Sequence, residues 1–252
     1  MSKKINYYTG YNLKVNKSKS FTHKIRDTYI SEGFKSIIKK GKIYILRKFN
    51  YNLSKLNYTI FRRYFTVNQR KYRYYNKPLN SERNIEIPFT FSIVNKYKNK
   101  NILEVGNVLS NFFKFDHDIV DKYEITDNVI NKDIIRFNTN KKYDLVISVS
   151  TIEHVGFDEP TKQKGKSLLA IKKMISLVKK GGMIFITVPL GYNPEIDDII
   201  RSKRINFSEE FFLKRVSWFN TWKQTDMQSA LKQKYGSKYP AANSVAFLIF
   251  IK

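Results

Sequence analysis

The chain has 252 residues, 42% of them hydrophobic, no cysteine and a formal net charge of +26. That is enough for one large domain or for a domain with an appendage, and it excludes disulfides, thiolate nucleophiles and cysteine-ligated zinc. The longest apolar runs, such as 245–251, are too short to span a bilayer, and no apolar stretch follows the basic start MSKKINYYTG, so a cytoplasmic protein without a secretory signal is expected.

The charge is unevenly placed. Residues 1–100 carry 24 Lys+Arg against 4 Asp+Glu, and the remainder carries 23 against 17. A basic front of this kind suits an anionic membrane, nucleic acid or a phosphorylated substrate. Lys, Asn, Ile and Tyr are abundant throughout, so an AT-rich coding bias competes as the cause. His23, His117 and His154 have no metal-ligand spacing, and no metal is expected.

In chain order, Ile30, Phe34, Ile37, Ile38 and Ile45 fall at helical spacing, with Lys35, Lys39, Lys40 and Lys42 mostly opposite. This predicts a basic amphipathic helix over 30–46, interrupted at Gly41. The stripe suits either a membrane interface or a lid on the rest of the fold. Residues 1–80 read as a basic, mostly helical extension and 81–252 as the main domain. In "SERNIEIP", residues 81–88, Ser81 is a candidate cap for a short helix that Pro88 would limit.

From residue 101 apolar runs of strand length recur: Ile102–Val105, Ile119–Val120, Leu145–Val149, Met183–Val188 and Val245–Ile251. A helix is predicted over Lys166–Lys179, ended by Gly181 and Gly182. Continuous apolar strands alternating with helices indicate a buried parallel sheet. Trp218 and Trp222, four apart, are expected on one helix face, as core or lid.

"NILEVGNVLSNFF", residues 101–113, is a strand, a turn at Gly106 and an amphipathic segment. It resembles a nucleotide loop without its later glycines: Val108 stands at one place, and Ser110 or Asn111 at the next. In the dinucleotide fingerprint those glycines admit a pyrophosphate and let the helix pack close. Their loss argues against NAD and FAD. A cofactor without phosphates, such as S-adenosylmethionine, needs only the tight turn and polar groups. Asp121 ends a short second strand, seventeen residues after Glu104, where a carboxylate can accept both ribose hydroxyls. Asp133 can accept from an adenine amino group, with Ile134 packed on the ring. "KYDLVISVSTIEHV" is a fourth strand with a polar end, and ligands of open α/β sheets lie at such ends.

"ILEVGN", "IVDKYE", "NKDI", "YDLVISVSTIEHVG" and "LVKKGGMIFITVPLGYNP" occur in this order. Together they resemble the successive motifs of class I S-adenosylmethionine-dependent methyltransferases, over roughly residues 82–252. The likeness is closer to a bacterial group associated with cell-surface glycan synthesis. The resemblance implies a Rossmann-like seven-stranded sheet whose last strand, Val245–Ile251, inserts antiparallel after a hairpin. It implies cofactor roles for Glu104, Gly106, Asn107, Asp121, Lys122, Asp133, Ile134 and Ser150. The short connection from Asp121 to Val129 leaves little room for the usual second helix.

Methyl transfer from a sulfonium is an in-line displacement, in which positioning carries much of the rate. A base is needed only for a hydroxyl or similar acceptor, and Glu153 with His154 are its candidates. The alternative for His154 is a local hydrogen bond or a place in the cofactor cleft. Tyr192 and Asn193 are candidates to face the acceptor. The expected activity is methyl transfer to a small molecule or a glycan, which includes a lipid-linked saccharide. Two rivals stand beside it. One is an RNA methyltransferase using the basic front. The other is a non-catalytic Rossmann-like scaffold at a membrane assembly.

Overall fold

The structure is a computed structural model. It describes residues 34, 38, 40–42, 44–46, 48, 49, 52, 64–75 and 81–252. Ile30, Ile37, Lys35, Lys39 and His23 of the sequence reading lie outside these. The chain divides into two compact units, 1–48 and 49–252. In the first, every described residue is helical, Gly41 included, so the expected interruption there is not observed. No helix among the described residues is long and apolar enough to cross a membrane.

The second unit begins before the boundary expected at 80/81. Strands β1 (Tyr64–Val67) and β2 (Arg70–Arg73) form an antiparallel hairpin. Its Phe65, Val67 and the following Tyr74 are buried in the same core as Phe185, Val245 and Phe247. The Tyr74 hydroxyl also accepts from the Trp222 backbone N–H at 3.0 Å. The basic composition of 49–80 hid this role, because only alternate hairpin residues face inward.

Helix α1 (Arg83–Val94) follows, with eight of its twelve residues buried. Ser81 Oγ accepts from the Arg83 N–H at 3.3 Å, but the capping position is Glu82, whose side chain makes no cap hydrogen bond, so the expected Ser81 cap is not formed. Pro88 lies inside the helix and does not end it. A proline lacks the N–H that would bond the carbonyl four residues back. That carbonyl belongs to Asn84, and it accepts instead from the Tyr75 N–H at 3.1 Å.

The central sheet comprises β3 (Ile102–Val105), β4 (Asp118–Asp121), β5 (Ile130–Asn131), β6 (Tyr143–Val149), β7 (Val178–Pro189), β8 (Glu209–Arg215), β9 (Trp222–Thr225) and β10 (Ser244–Ile251). Its spatial order is β5-β4-β3-β6-β7-β10-β8-β9. The strands β5 to β7 run parallel to one another. The last strand, β10, inserts antiparallel between β7 and β8. This is the Rossmann-like arrangement expected, with eight strands in place of seven because β9 adds an antiparallel edge to β8. Trp222 therefore sits in a strand and Trp218 in the turn before it, not on a helix.

Helices α2 (Lys166–Leu177) and α3 (Pro194–Arg201) pack on one face through Ile171, Met174, Ile196 and Ile199. A short helix, α4 (Met227–Leu231), adds Ala230 to the same core. The other face is covered by α1 and the β1–β2 hairpin. No α-helix separates β3 from β4; a single 3-10 turn, Leu109–Asn111, stands there. Gly181 and Gly182 do not cap α2, which ends at Leu177 and passes directly into β7. The pairing with β6 slips between Tyr143↔Val178 and Leu145↔Met183, so the glycines form an irregularity within the strand. Gly181 has φ +75°, and a Cβ at Gly182 would stand 2.8 Å from Val178 and 3.0 Å from the Asp144 carbonyl. Here glycine serves an irregular strand rather than a helix end.

Candidate functional site

The sequence-predicted residues gather at the carboxyl ends of β3, β4 and β6, where α/β sheets bind ligands. Gly106 turns the chain after β3 at φ +83°, and a Cβ there would meet Thr151 Oγ1 at 2.2 Å. Only glycine fits both the dihedral and the space.

Glu104 is fully buried. Its Oε1 accepts from the N–H groups of Val108 and Leu109 at 2.8 and 2.5 Å. Its Oε2 accepts from Ser110 Oγ at 2.6 Å and His117 Nε2 at 3.0 Å. A carboxylate offers about four acceptor positions, so these four donors fill it. Glu104 builds the loop and has no capacity left for a ligand.

Asp121, at the end of β4, is also buried. Oδ1 accepts from the N–H groups of Tyr123 and Glu124 at 2.8 and 2.9 Å, and Oδ2 accepts from the Asn107 N–H at 3.2 Å. One position on Oδ2 remains, which suits one hydroxyl rather than a bidentate pair. Asn107 Nδ2 donates to Glu124 Oε1 at 2.8 Å, while its buried Oδ1 has no hydrogen-bond partner.

Asp133 caps the 3-10 turn Ile134–Arg136, accepting from the Ile135 N–H at 3.1 Å. Its Oδ2 lies 3.3 Å from Lys122 Nζ and 3.0 Å from Lys166 Nζ. Both lysines also pair with Glu159, at 2.9 and 2.7 Å. Burial favours neutral Asp133, but Lys166 and the backbone donor outweigh it and hold the carboxyl below its ordinary range. Lys122 is likewise pulled down by burial, and its Glu159 bond overrides this and raises it. Ile134 is buried in the core with Val105 and Val120.

A second group lies at the end of β6. Ser150 has φ +39°, and its hydroxyl donates to Glu86 Oε1 at 2.6 Å. Arg83 Nη1 pairs with Glu86 at 3.0 Å and donates to the Val149 carbonyl at 3.2 Å. Burial pushes the Glu86 carboxyl up. Glu153 is 1% exposed, and its Oε2 has no hydrogen-bond partner. Burial is the main cause that raises its pKa to about 7. His154 Nε2 lies 3.6 Å from Glu153 Oε1, and Nδ1 bonds Asp158 Oδ2. Burial would lower the imidazole, but Glu153 and Asp158 together raise it. Tyr192 donates to Asp158 at 2.6 Å, and its ring meets His154, Phe157 and Tyr235 edge-on at 5.2, 5.7 and 5.0 Å. Asn193 caps α3 and donates to the Glu153 carbonyl at 2.8 Å, so it supports Glu153 from behind.

The sequence reading missed Glu86, Arg83, His117, Asp158, Glu159 and Lys166. Glu86 had a signal, an acid in the apolar stretch "NIEIPF". Asp158 joins His154 across one local turn and Arg83 joins Glu86 within α1, whereas His117, Glu159 and Lys166 reach Glu104 and Asp133 through the pairing of separate segments.

No family model and no curated protein matches the chain. Solved structures resemble it. The N-methyltransferase NodS from Bradyrhizobium japonicum WM9, in complex with S-adenosyl-L-homocysteine, is 12% identical, with 65% of this chain and 87% of that chain covered at a TM-score of 0.39. An S-adenosylmethionine-dependent methyltransferase from Clostridium acetobutylicum ATCC 824 is 12% identical, with coverages of 66% and 90% and a TM-score of 0.36. TehB from Haemophilus influenzae is 12% identical, with coverages of 68% and 65% and a TM-score of 0.39.

Proposed function

We propose that the chain is an S-adenosylmethionine-dependent methyltransferase acting on a small-molecule or glycan acceptor. The observation that carries this reading is the polar set at the ends of β3, β4 and β6. It joins a glycine-only turn, two buried oxygens without partners (Asn107 Oδ1 and Glu153 Oε2) and an excess of acid. Glu104, Asp121, Glu124, Asp133 and Glu159 stand there against Lys122 and Lys166. Such a field favours a sulfonium cation and disfavours a pyrophosphate. The residues therefore fit this cofactor. Asp121 Oδ2 would take a ribose hydroxyl, Asn107 Oδ1 a further donor, and the free position of Asp133 the adenine amino group.

When bound, S-adenosylmethionine supplies an electrophilic methyl group for in-line displacement. The protein's own part is to orient the acceptor and to receive its proton. Glu153 Oε2 suits the second task. A carboxyl that titrates near 7 is matched to proton removal at neutral pH. His154, held by Asp158, lies 3.6 Å from Glu153 Oε1, and its proximity favours the ionised form of the carboxyl. The half-buried rings of Phe157, Tyr192 and Tyr235 offer apolar faces to an acceptor such as a sugar.

The same proposal sets the reaction at an anionic membrane surface, where lipid-linked acceptors are presented. Phe34, Ile38 and Ile45, spaced four and seven apart along helical residues, are 64%, 57% and 67% exposed. Lys40, Lys42 and Lys48 beside them are exposed too.

The test is release of S-adenosyl-L-homocysteine with a panel of nucleotide-sugar and lipid-linked saccharide acceptors. Acceptor-dependent release that Glu153→Gln lowers about 100-fold or more supports the reading. Equal release by both proteins refutes the role of Glu153. No release with any acceptor, from a protein that also fails to bind the cofactor, refutes the activity.

A further inference from the structure

The loop after β3 does without the glycines that normally shape it, so something else must hold it. A single 3-10 turn, Leu109–Asn111, leaves the N–H groups at its start without intrahelical partners. The Leu109 N–H is taken by Glu104 from the preceding strand, and the Val108 N–H is shared between Glu104 and the Gly106 carbonyl, at 2.8 and 2.9 Å. The other oxygen of Glu104 is shared by Ser110, which belongs to the loop, and His117, which does not.

His117 stands one residue before β4. Parallel pairing of Leu103 with Asp118 and Glu104 with Ile119 brings it beside the Glu104 carboxyl. Its side chain is 3% exposed, its ring stacks on Phe115 at 5.0 Å, and Nε2 lies 3.3 Å from Ser110 Oγ. Because the carboxylate only accepts, this contact requires the proton on Nε2.

We propose that His117 is a positioning residue for the cofactor loop, acting through Glu104 on the backbone of Val108 and Leu109. The carboxylate has four donors, of which three belong to the loop itself. His117 is the one that fixes the carboxylate, and with it the loop, to the neighbouring strand. The loop in turn sets Gly106 and Asn107 against Asp121. In this chain a buried acid and an imidazole replace the conformational freedom of two glycines. The ligand arm of this proposal rests on the methyltransferase reading; the loop arm does not.

The experiment uses the full chain and two substitutions. His117→Phe keeps a stacking ring and removes the N–H donor. His117→Gln restores a donor of similar reach without the ring. Amide hydrogen exchange is followed at Val108 and Leu109, and S-adenosyl-L-homocysteine is titrated by calorimetry. The expected result is exchange at these two amides at least tenfold faster in His117→Phe, with β6 and β7 unchanged. Cofactor affinity falls at least tenfold, and His117→Gln recovers most of both. Exchange at 108 and 109 that matches wild type, or that rises uniformly across β3, β6 and β7, overturns the proposal. If His117→Phe does not fold, His117→Gln decides: wild-type-like exchange supports the role of the donor, and fast exchange overturns it. If wild type binds no cofactor, the methyltransferase reading fails while the exchange arm still decides the role of His117.

Discussion

At the scale of single residues, the contrast between Glu104 and Glu153 organises the site. Both are buried carboxyls, Glu104 within β3 and Glu153 in the 3-10 turn Ile152–His154 that follows β6. Glu104 has four donors, and Glu153 has an oxygen with none. The first is saturated by its donors, and the second keeps an open acceptor oxygen. Glu153 also makes a prediction about stability. Its folded pKa, about 7, lies above the ordinary 4.5, so the folded state holds the proton more tightly. Stability is then full below pH 4.5 and declines as pH rises towards 7. The cost at pH 8 is on the order of 3 kcal/mol. Glu153→Gln should therefore raise the melting temperature at pH 8, leave it nearly unchanged at pH 4.5, and lower methyl transfer. Thermal unfolding at the two pH values checks this, and equal shifts at both would remove the argument. Asp121 behaves differently. Because it accepts from three backbone N–H groups, Asp121→Ala orphans them and weakens cofactor binding as well. The expected loss is about 2–3 kcal/mol of stability together with at least a tenfold fall in affinity. Chemical denaturation alongside titration measures both.

At the scale of elements, the strands lining the cleft were legible and the elements that cover the sheet were not. The continuous apolar runs of β6, β7 and β10 announce strands buried on both faces. Acids at the ends of β4 and after β5 mark the ligand edge. The β1–β2 hairpin escaped notice because each strand is only four residues long and three of the four residues of RKYR are charged, which hides the alternation of YFTV beside it. Strand β8, EEFFLKR, escaped because its apolar run, Phe211 to Leu213, is only three residues long and is flanked by charge on both sides. Helix α1 was cut short on paper at Pro88, since the sequence does not reveal that Tyr75 takes over the Asn84 carbonyl. The site divides along the same line. Glu104, Gly106, Asp121 and Asp133 are local motif residues, whereas Glu86 and His117 act through partners on other segments, and Asp158 joins the nearby His154 to the distant Tyr192. The hairpin yields a direct test. Phe65 is 1% exposed and packs on Tyr72 and Tyr74 at ring distances of 5.5 and 5.3 Å. Phe65→Ala should cost about 3–5 kcal/mol. A cost below about 1 kcal/mol in urea denaturation would show that the hairpin is not part of the core.

For the whole molecule, charge is the leading feature. The front carries most of the +26, while the sheet ends that form the site are acidic. On the proposed reading the two fields would serve different ligands, the front an anionic surface and the site a cation. Each Lys or Arg at an anionic membrane contributes roughly 1 kcal/mol, screened by salt. Full-length protein should float with anionic liposomes at low salt and release as salt rises. Phe34 and Ile38 changed together to Ser should weaken it further. Protein that stays in the soluble fraction at low salt contradicts the membrane part of the account. The central claim is tested most directly at the other field, by calorimetric titration of the purified chain with S-adenosylmethionine, S-adenosyl-L-homocysteine and NAD. Micromolar binding of both sulfur cofactors and none of NAD is expected. Clear heat with NAD, and none with either sulfur cofactor, would contradict it.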